Sequence, residues 1–248
     1  MKDMRFAGRS VIVTGGLGGI GRACAQGFAR EGARLMLADL RVEGAAEAVA
    51  ELKRLGAADA RVEACDVSRE ADVARVCRAA VDLYGGVDVL VNVAGMMIYK
   101  AIEELSFEDW SRLMGVNFFG AAMFTREAFR VMKPGGAIVN VSSIHERQTS
   151  PLVAPYAAAK AALGSLTRTA SIEGRAKGIR VNAVLPGAVD TMMLWASPNL
   201  KSGAETLEPG DVGQPSQIAD AVLYLAGAQA GFVTGASLNV DGGRLAKL

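Results

Sequence analysis

Residues 11 to 21 constrain this chain more than any other stretch. Val11-Ile12-Val13 is a short apolar run that reads as a buried strand, and it leads directly into Thr14-Gly15-Gly16-Leu17-Gly18-Gly19-Ile20-Gly21. A helical pattern follows through Ala23, Phe28 and Ala29. Strand, glycine turn and helix in that order form the start of a βα unit. Glycines there let the backbone approach a pyrophosphate, and the helix N-terminus offers free N–H groups and the positive end of its dipole. Two glycine frames fit: Gly16, Gly18 and Gly21 as G-x-G-x-x-G, and Gly15, Gly19 and Gly21 as T-G-x-x-x-G-x-G.

The remainder of the chain alternates in the same way. Strands are read near Val11, Leu35, Val62, Val89, Ile138, Val181 and Leu238. Helical patterns fall near Ala25, Ala48 and Val76, from Leu113 to Phe129, from Ala157 to Ile172 and from Ile218 to Leu225. Continuous rather than alternating apolar runs, as in Leu35-Met36-Leu37, mark strands covered on both faces. The expectation is an α/β fold: a Rossmann-type, doubly wound parallel sheet of about seven strands with helices on both faces. At 248 residues with 51% apolar content the chain is expected to form one domain spanning residues 1–248. The least regular stretch is Met192 to Gly213, which carries Pro198, Gly203, Pro209, Gly210 and Gly213.

Composition narrows the function classes. The formal net charge of +1 gives no electrostatic case for nucleic acid or an anionic membrane. No apolar run approaches the length of a membrane span, and Met1-Lys2-Asp3-Met4-Arg5 leads into no signal-peptide core, so a cytoplasmic protein is expected. Cys24, Cys65 and Cys77 form no close pair and read as buried thiols rather than a disulfide framework. With His145 as the single histidine, no metal site is expected.

Three features carry chemistry. Asp39 ends the second strand about 20 residues beyond the glycine turn, where a carboxylate binds adenosine ribose hydroxyls and repels a 2′-phosphate. This favours NAD over NADP, although Arg41 is placed to contact a phosphate instead. Tyr156 and Lys160, four residues apart, share one face of a predicted helix. A cation beside a phenol favours phenolate, lowering a pKa that starts near ~10. Ser143 supplies a hydroxyl to hold a substrate oxygen against that phenol.

Together these residues resemble the short-chain dehydrogenase/reductase family, in its subtype of about 250 residues, over nearly the whole chain. The glycine motif is followed in family order by Asp66-Val67, by Asn92-Val93-Ala94-Gly95, by Val116-Asn117, by Ser143, Tyr156 and Lys160, by Pro186-Gly187 with Val189 and Thr191, and by Val240-Asp241-Gly242-Gly243. Val93 departs from the pattern by replacing a second asparagine. The resemblance implies catalytic roles for Asn117, Ser143, Tyr156 and Lys160, with Asn117 anchoring a water that links Lys160 to solvent. It implies cofactor contacts from Gly15, Leu17, Gly18, Gly19, Ile20, Gly21, Asp39, Leu40, Asp66, Val67, Asn92, Ala94, Gly95, Val116, Tyr156, Lys160, Pro186, Gly187, Val189 and Thr191.

The expected activity is NAD-dependent interconversion of a secondary alcohol and its ketone or lactone, with Tyr156 as general acid–base. The small-molecule substrate is a sugar, a polyol or a cyclic alcohol. Ser143-Ile144-His145-Glu146 is similar to the Ser-x-His-Glu stretch of glucose 1-dehydrogenases. Met96, Met97, Met192, Met193, Leu194 and Trp195 suggest instead an apolar wall. Met96, His145 and Trp195 are the candidate substrate contacts. An NADPH-dependent 3-oxoacyl-thioester ketoreductase and a non-catalytic nucleotide-sensing protein are the alternatives.

The family also implies a homotetramer. Its helical contact would use Phe118, Phe119, Ala122 and Phe129 with Ala158, Ala161, Ala162 and Ser165; the second would use the last strand and the Val240 to Leu248 tail. The segment from Met192 covers the substrate in the family, and here it looks short.

Overall fold

The computed structural model describes residues 4–208 and 210–247. Met1, Lys2 and Asp3 of the leader reading, Pro209 of the irregular stretch and Leu248 of the tail lie outside the described residues.

Seven strands pair in parallel throughout: β1 (Ser10–Thr14), β2 (Arg34–Asp39), β3 (Asp59–Ala64), β4 (Val87–Asn92), β5 (Met132–Val141), β6 (Arg180–Pro186) and, near the C-terminus, Ser237–Val240. Their order across the sheet is β3-β2-β1-β4-β5-β6 and then Ser237–Val240, so the winding reverses between β1 and β4. Each expected strand is present. The physical reason is visible in β1, all five residues of which are buried, and which can lie only where both sheet faces are covered.

One face is covered by α1 (Gly19–Arg30), α2 (Ala45–Leu55) and the helix Pro215–Ala226. Here Cys24, Phe28, Ile218, Val222 and Leu225 pack on Val11, Leu35 and Val139. The other face is covered by α3 (Glu70–Tyr84), α5 (Gly120–Val131) and α6 (Ala154–Arg175), with Val76, Phe124 and Ala170 against Ile12, Leu90 and Ile138.

Two expectations need correcting. The helix read from Leu113 to Phe129 begins earlier and is not regular: α4 (Phe107–Met114) starts at a Ser106/Asp109 capping box, and a π turn, Gly115–Phe119, joins it to α5. Ser106 and Asp109 satisfy each other's backbone N–H groups, which fixes a start that apolar periodicity alone does not mark. The stretch from Met192 to Gly213 is also more ordered than its prolines and glycines suggest. It holds α7 (Met192–Trp195), α8 (Pro198–Ser202) and a two-residue strand, Val212–Gly213, paired with Ala188–Val189. We number Ala188–Val189 β7, Val212–Gly213 β8, Pro215–Ala226 α9 and Ser237–Val240 β9; Arg244–Lys247 is α10. Pro198 opens α8 from its first turn, where a missing N–H costs nothing.

Phe28 is fully buried and meets the ring of Phe6 edge-on, with centroids 4.7 Å apart. Phe28→Ala is expected to cost about 3–5 kcal/mol. Urea unfolding followed by circular dichroism should show a lower midpoint at unchanged slope.

Candidate active site

The reversal between β1 and β4 leaves a crevice at the C-terminal ends of the strands, where ligands of open α/β sheets bind. A cleft of about 1280 Å³ fills it. At one end lies the turn from β1 into α1. Gly15 has φ +62°, and a Cβ at Gly21 would overlap the Gly15 carbonyl, so the turn closes only with glycine at both positions. α1 begins without a side-chain cap and has no acidic residue in its first turn. Its first N–H groups and its positive dipole end therefore face the cleft, which suits a pyrophosphate. The Asp39 carboxylate completes this end, with Oδ2 accepting the Leu17 N–H at 3.0 Å and Oδ1 accepting the Arg41 N–H at 3.2 Å. These features fit a dinucleotide.

Of the residues expected to touch the cofactor, Gly15, Leu17, Gly18, Gly19, Ile20, Gly21, Asp39, Leu40, Asp66, Val67, Ala94, Gly95, Val116, Tyr156, Lys160, Pro186, Gly187, Val189 and Thr191 line the cleft. Asn92 does not. It is buried behind the wall, and its amide donates to Asn140 Oδ1 at 2.8 Å, while Asn140 in turn donates to Thr167 Oγ1 of α6 at 2.9 Å. Asn92 thus registers β4, β5 and α6 on one another. The substitution at Val93 leaves the strand end in place, because the Thr14 hydroxyl accepts both the Val93 and Ala94 N–H groups, at 3.0 and 3.1 Å.

Ser143, Tyr156 and Lys160 converge on the cleft from the end of β5 and the first turns of α6. α6 buries the stripe Ala159, Leu163, Thr167, Ala170 and Gly174, and that docking carries Lys160 inward. Ser143 hydrogen-bonds the Tyr156 phenol. Lys160 Nζ donates to the Val141 carbonyl at 2.8 Å and stands 5.4 Å from the centre of the Tyr156 ring.

The electrostatics differ from the sequence reading. Burial pushes the Tyr156 phenol up to about 12, against the opposing hydrogen bond from Ser143. The lysine faces the ring rather than the hydroxyl, and burial dominates the phenol. Lys160 itself is brought down to about 8 by burial, with Glu146 acting in the opposite direction. At neutral pH the pair is a protonated phenol beside an ammonium, which is a proton donor ready for an alkoxide.

Asn117 is buried in the π turn, off the cleft surface, and both ends of its amide bond the Met96 backbone: Oδ1 accepts the N–H at 2.8 Å and Nδ2 donates to the carbonyl at 2.9 Å. The side chain braces the Met96 wall.

The substrate side combines two characters. Met96, Met97, Val153, Met192, Met193 and Leu194 make an apolar wall. Trp195 is not part of it; the ring is turned outward, with Nε1 donating to Asp190 Oδ1 at 2.8 Å. His145 does enter the cleft, edge-on to Tyr156 at 5.7 Å, and burial holds its pKa below the ordinary imidazole value. Beyond it lies a polar cluster absent from the sequence reading. Tyr99 hydrogen-bonds Ser197, and Arg244 pairs with Glu205. These residues come from four separate segments with no shared motif, so only the fold brings them together. The thiol of Cys65, on the cleft wall beside Asp66, is pushed up to about 12 by burial, as are Cys24 and Cys77, which leaves all three unreactive.

A family model described as "Enoyl-(Acyl carrier protein) reductase" matches residues 15–244. 3beta-hydroxysteroid dehydrogenase 1 of Eggerthella lenta is 41% identical over 245 residues, which is 95% of this chain and 93% of that protein. Glucose 1-dehydrogenase of Gluconobacter oxydans is 35% identical over 246 residues, 96% and 92% of the two chains. The crystal structure of a short chain dehydrogenase from Burkholderia cenocepacia J2315 in complex with NADP superposes with a TM-score of 0.89 at 28% identity, covering 96% of this chain and 98% of that one.

Replacing Tyr156 with Phe removes the donor but keeps the ring. Tyr156→Phe is expected to lower turnover by about 10²–10⁴-fold while NADH binding, followed by fluorescence, stays near the parent value. Lys160→Ala is expected to weaken both.

Proposed function

The chain belongs to the short-chain dehydrogenase/reductase family and is an oxidoreductase acting on CH–OH donors, and on that premise we propose that it is a cytoplasmic, NAD-dependent dehydrogenase of alicyclic secondary alcohols, built as one domain and assembled as a homotetramer. The observation that carries the substrate reading is the methionine wall, which lines the same cleft as the Ser143–Tyr156 pair and the Arg244–Glu205 pair. A flat ring with one carbinol and a second oxygen suits that mixture of apolar wall and polar groups. The polar cluster with His145 supports a sugar or polyol as a second reading. The NAD reading rests on the Asp39 carboxylate, held against the phosphate turn through Leu17. A 2′-phosphate there would meet a fixed negative charge.

In this mechanism Ser143 and Tyr156 hold the substrate oxygen. Ser143 fixes the phenol, and Tyr156 passes its proton to the forming alkoxide in reduction or accepts the alcohol proton in oxidation. Lys160 keeps a positive charge beside the exchange and would hold the nicotinamide ribose. The glycine turn and the α1 N-terminus would hold the pyrophosphate, and Asp39 the adenosine ribose. When bound, the nicotinamide supplies the hydride acceptor or donor. Met96, braced by Asn117, supplies apolar wall beside the exchange.

NADH formation against cyclic alcohols, hydroxysteroids, sugars and linear polyols tests the substrate reading. Cyclic alcohols and hydroxysteroids are expected to give the highest kcat/KM, and preference for linear polyols would contradict it. NAD is expected to outperform NADP at equal concentration. Asp39→Ser should narrow that ratio about tenfold or more, the equivalent of about 1.4 kcal/mol. Faster turnover of the parent with NADP would overturn the role of Asp39.

The assembly reading is supported by apolar side chains left exposed on the helical faces, Phe119 at 52% and Ile172 at 71%, and by Phe232 beside β9. Ala161 is exposed on the α6 face. Ala161→Glu is expected to halve or quarter the sedimenting mass and to lower activity with it. A parent protein that sediments as a fully active monomer of 25.8 kDa would rule the tetramer out.

A further inference from the structure

Lys160 is a buried cation whose ammonium has a hydrogen bond to the Val141 carbonyl and no carboxylate in ion-pair contact among the described residues. A charge removed from water needs an opposite charge or it loses its proton. The opposite charge that acts on it is Glu146. Glu146 follows Ser143 in the short turn Ile144–Glu146, yet its side chain points into the protein, with only 8% exposed. Its carboxylate is held from three elements. The Ser142 hydroxyl of the β5 end donates to Oε2 at 2.9 Å and lies 3.2 Å from the Lys160 carbonyl. The Ser237 hydroxyl of β9 reaches Oε1 at 3.4 Å. Arg168 of α6 stands 4.0 Å from Oε1. α6 makes room for the group with Gly164, one turn beyond Lys160, where any Cβ would overlap the carboxylate. A surface acid needs no such clearance.

We propose that Glu146 is a positioning residue of the proton relay: its buried carboxylate joins the Ser143-bearing end of β5 to the turn of α6 that carries Lys160, and supplies the counter-charge to the Lys160 ammonium. This rests on the reading of Tyr156 and Lys160 as the relay and names what maintains it. The other titratable groups at the junction are Tyr156, whose ring faces Nζ, His145 edge-on behind that ring, and Arg168 beside the carboxylate. The two charges of the pair oppose each other's burial, so removing the carboxylate charge moves Lys160 further below its ordinary range. Lys160 then loses its proton at a lower pH, and with it the charge beside the phenol.

The test is Glu146→Gln, which keeps shape and removes charge. In protein carrying ¹³C-labelled lysine, the Lys160 Cε resonance, assigned with Lys160→Arg, is followed against pH by NMR. The midpoint in the parent is expected near 8 and in Glu146→Gln about half a unit or more lower. The alkaline limb of kcat/KM should move with it, so that the ratio of rates at pH 9 and pH 7 falls about threefold relative to the parent. Glu146→Asp should recover most of the shift. A purely structural role would lower thermal stability and leave both midpoints where they are; an unshifted Lys160 midpoint in folded Glu146→Gln overturns the proposal. If that variant is not recovered folded, Glu146→Asp carries the test alone, with a smaller downward shift expected and no shift contradicting it. Full turnover in Tyr156→Phe would remove the relay reading and leave the NMR result standing, so the two failures are distinguishable.

Discussion

β1 pairs in parallel with both β2 and β4, and the chemistry of this protein depends on that arrangement. The sheet runs outward from this strand in opposite directions, through β2 and β3 on one side and β4, β5 and β6 on the other, so the C-terminal end of β1 opens into a gap between two oppositely wound halves. The glycine turn, the α1 N-terminus, Asp39 from β2 and residues 93–95 beyond β4 all meet there because they follow three adjacent strands. β5 and α6 then bring Ser143, Tyr156 and Lys160 to the other side of the same gap. The pairing itself is held by ordinary apolar burial. The polar chain Asn92–Asn140–Thr167 sets the register of α6 against the sheet, and with it the distance between phenol and cofactor site.

Burial at this site works against its ionisable groups. Removing Tyr156 and Lys160 from water favours the neutral form of each, so the phenol rises and the ammonium falls. A phenol held protonated at neutral pH suits carbonyl reduction in the absence of other charge. Oxidation needs a positive charge near the phenol, which Lys160 and an oxidised nicotinamide would both provide. The direction of catalysis is thus tied to the charge carried into the cleft, and the buried carboxylate of Glu146 belongs to the same balance.

Much of this could be read from the chain. Continuous apolar runs disclosed the inner strands, because strands covered on both faces have few polar positions to confuse the pattern; the edge strands β3 and β9 mix polar and apolar residues and are read from the strand–helix alternation. Most of the expected cofactor contacts that line the cleft were legible because they lie just beyond a strand end; Val116, Tyr156 and Lys160 come instead from helical segments. Other features were hidden for physical reasons. The start of α4 is set by the Ser106–Asp109 capping box rather than by periodicity, and the π turn that buries Asn117 leaves no apolar signature. Trp195 reads as pocket wall beside Met192 and Met193, but its indole N–H finds Asp190 and turns the ring outward. Tyr99, Ser197, Glu205 and Arg244 lie over a hundred residues apart at the extremes, and only the folded lid and tail place them on one cavity. The four-residue Tyr–Lys spacing correctly gave a shared helix face, but not that the ammonium would turn to the Val141 carbonyl.

The central claim is that hydrogen passes directly between substrate carbon and nicotinamide while Tyr156 handles the proton. A cyclic secondary alcohol carrying deuterium at the carbinol carbon, turned over with NAD in ordinary water, tests it most directly. Mass spectrometry of the reduced cofactor should find one deuterium in each NADH, and turnover should be slower than with the unlabelled alcohol. Unlabelled NADH, with the deuterium lost to water or retained in the product, would contradict it.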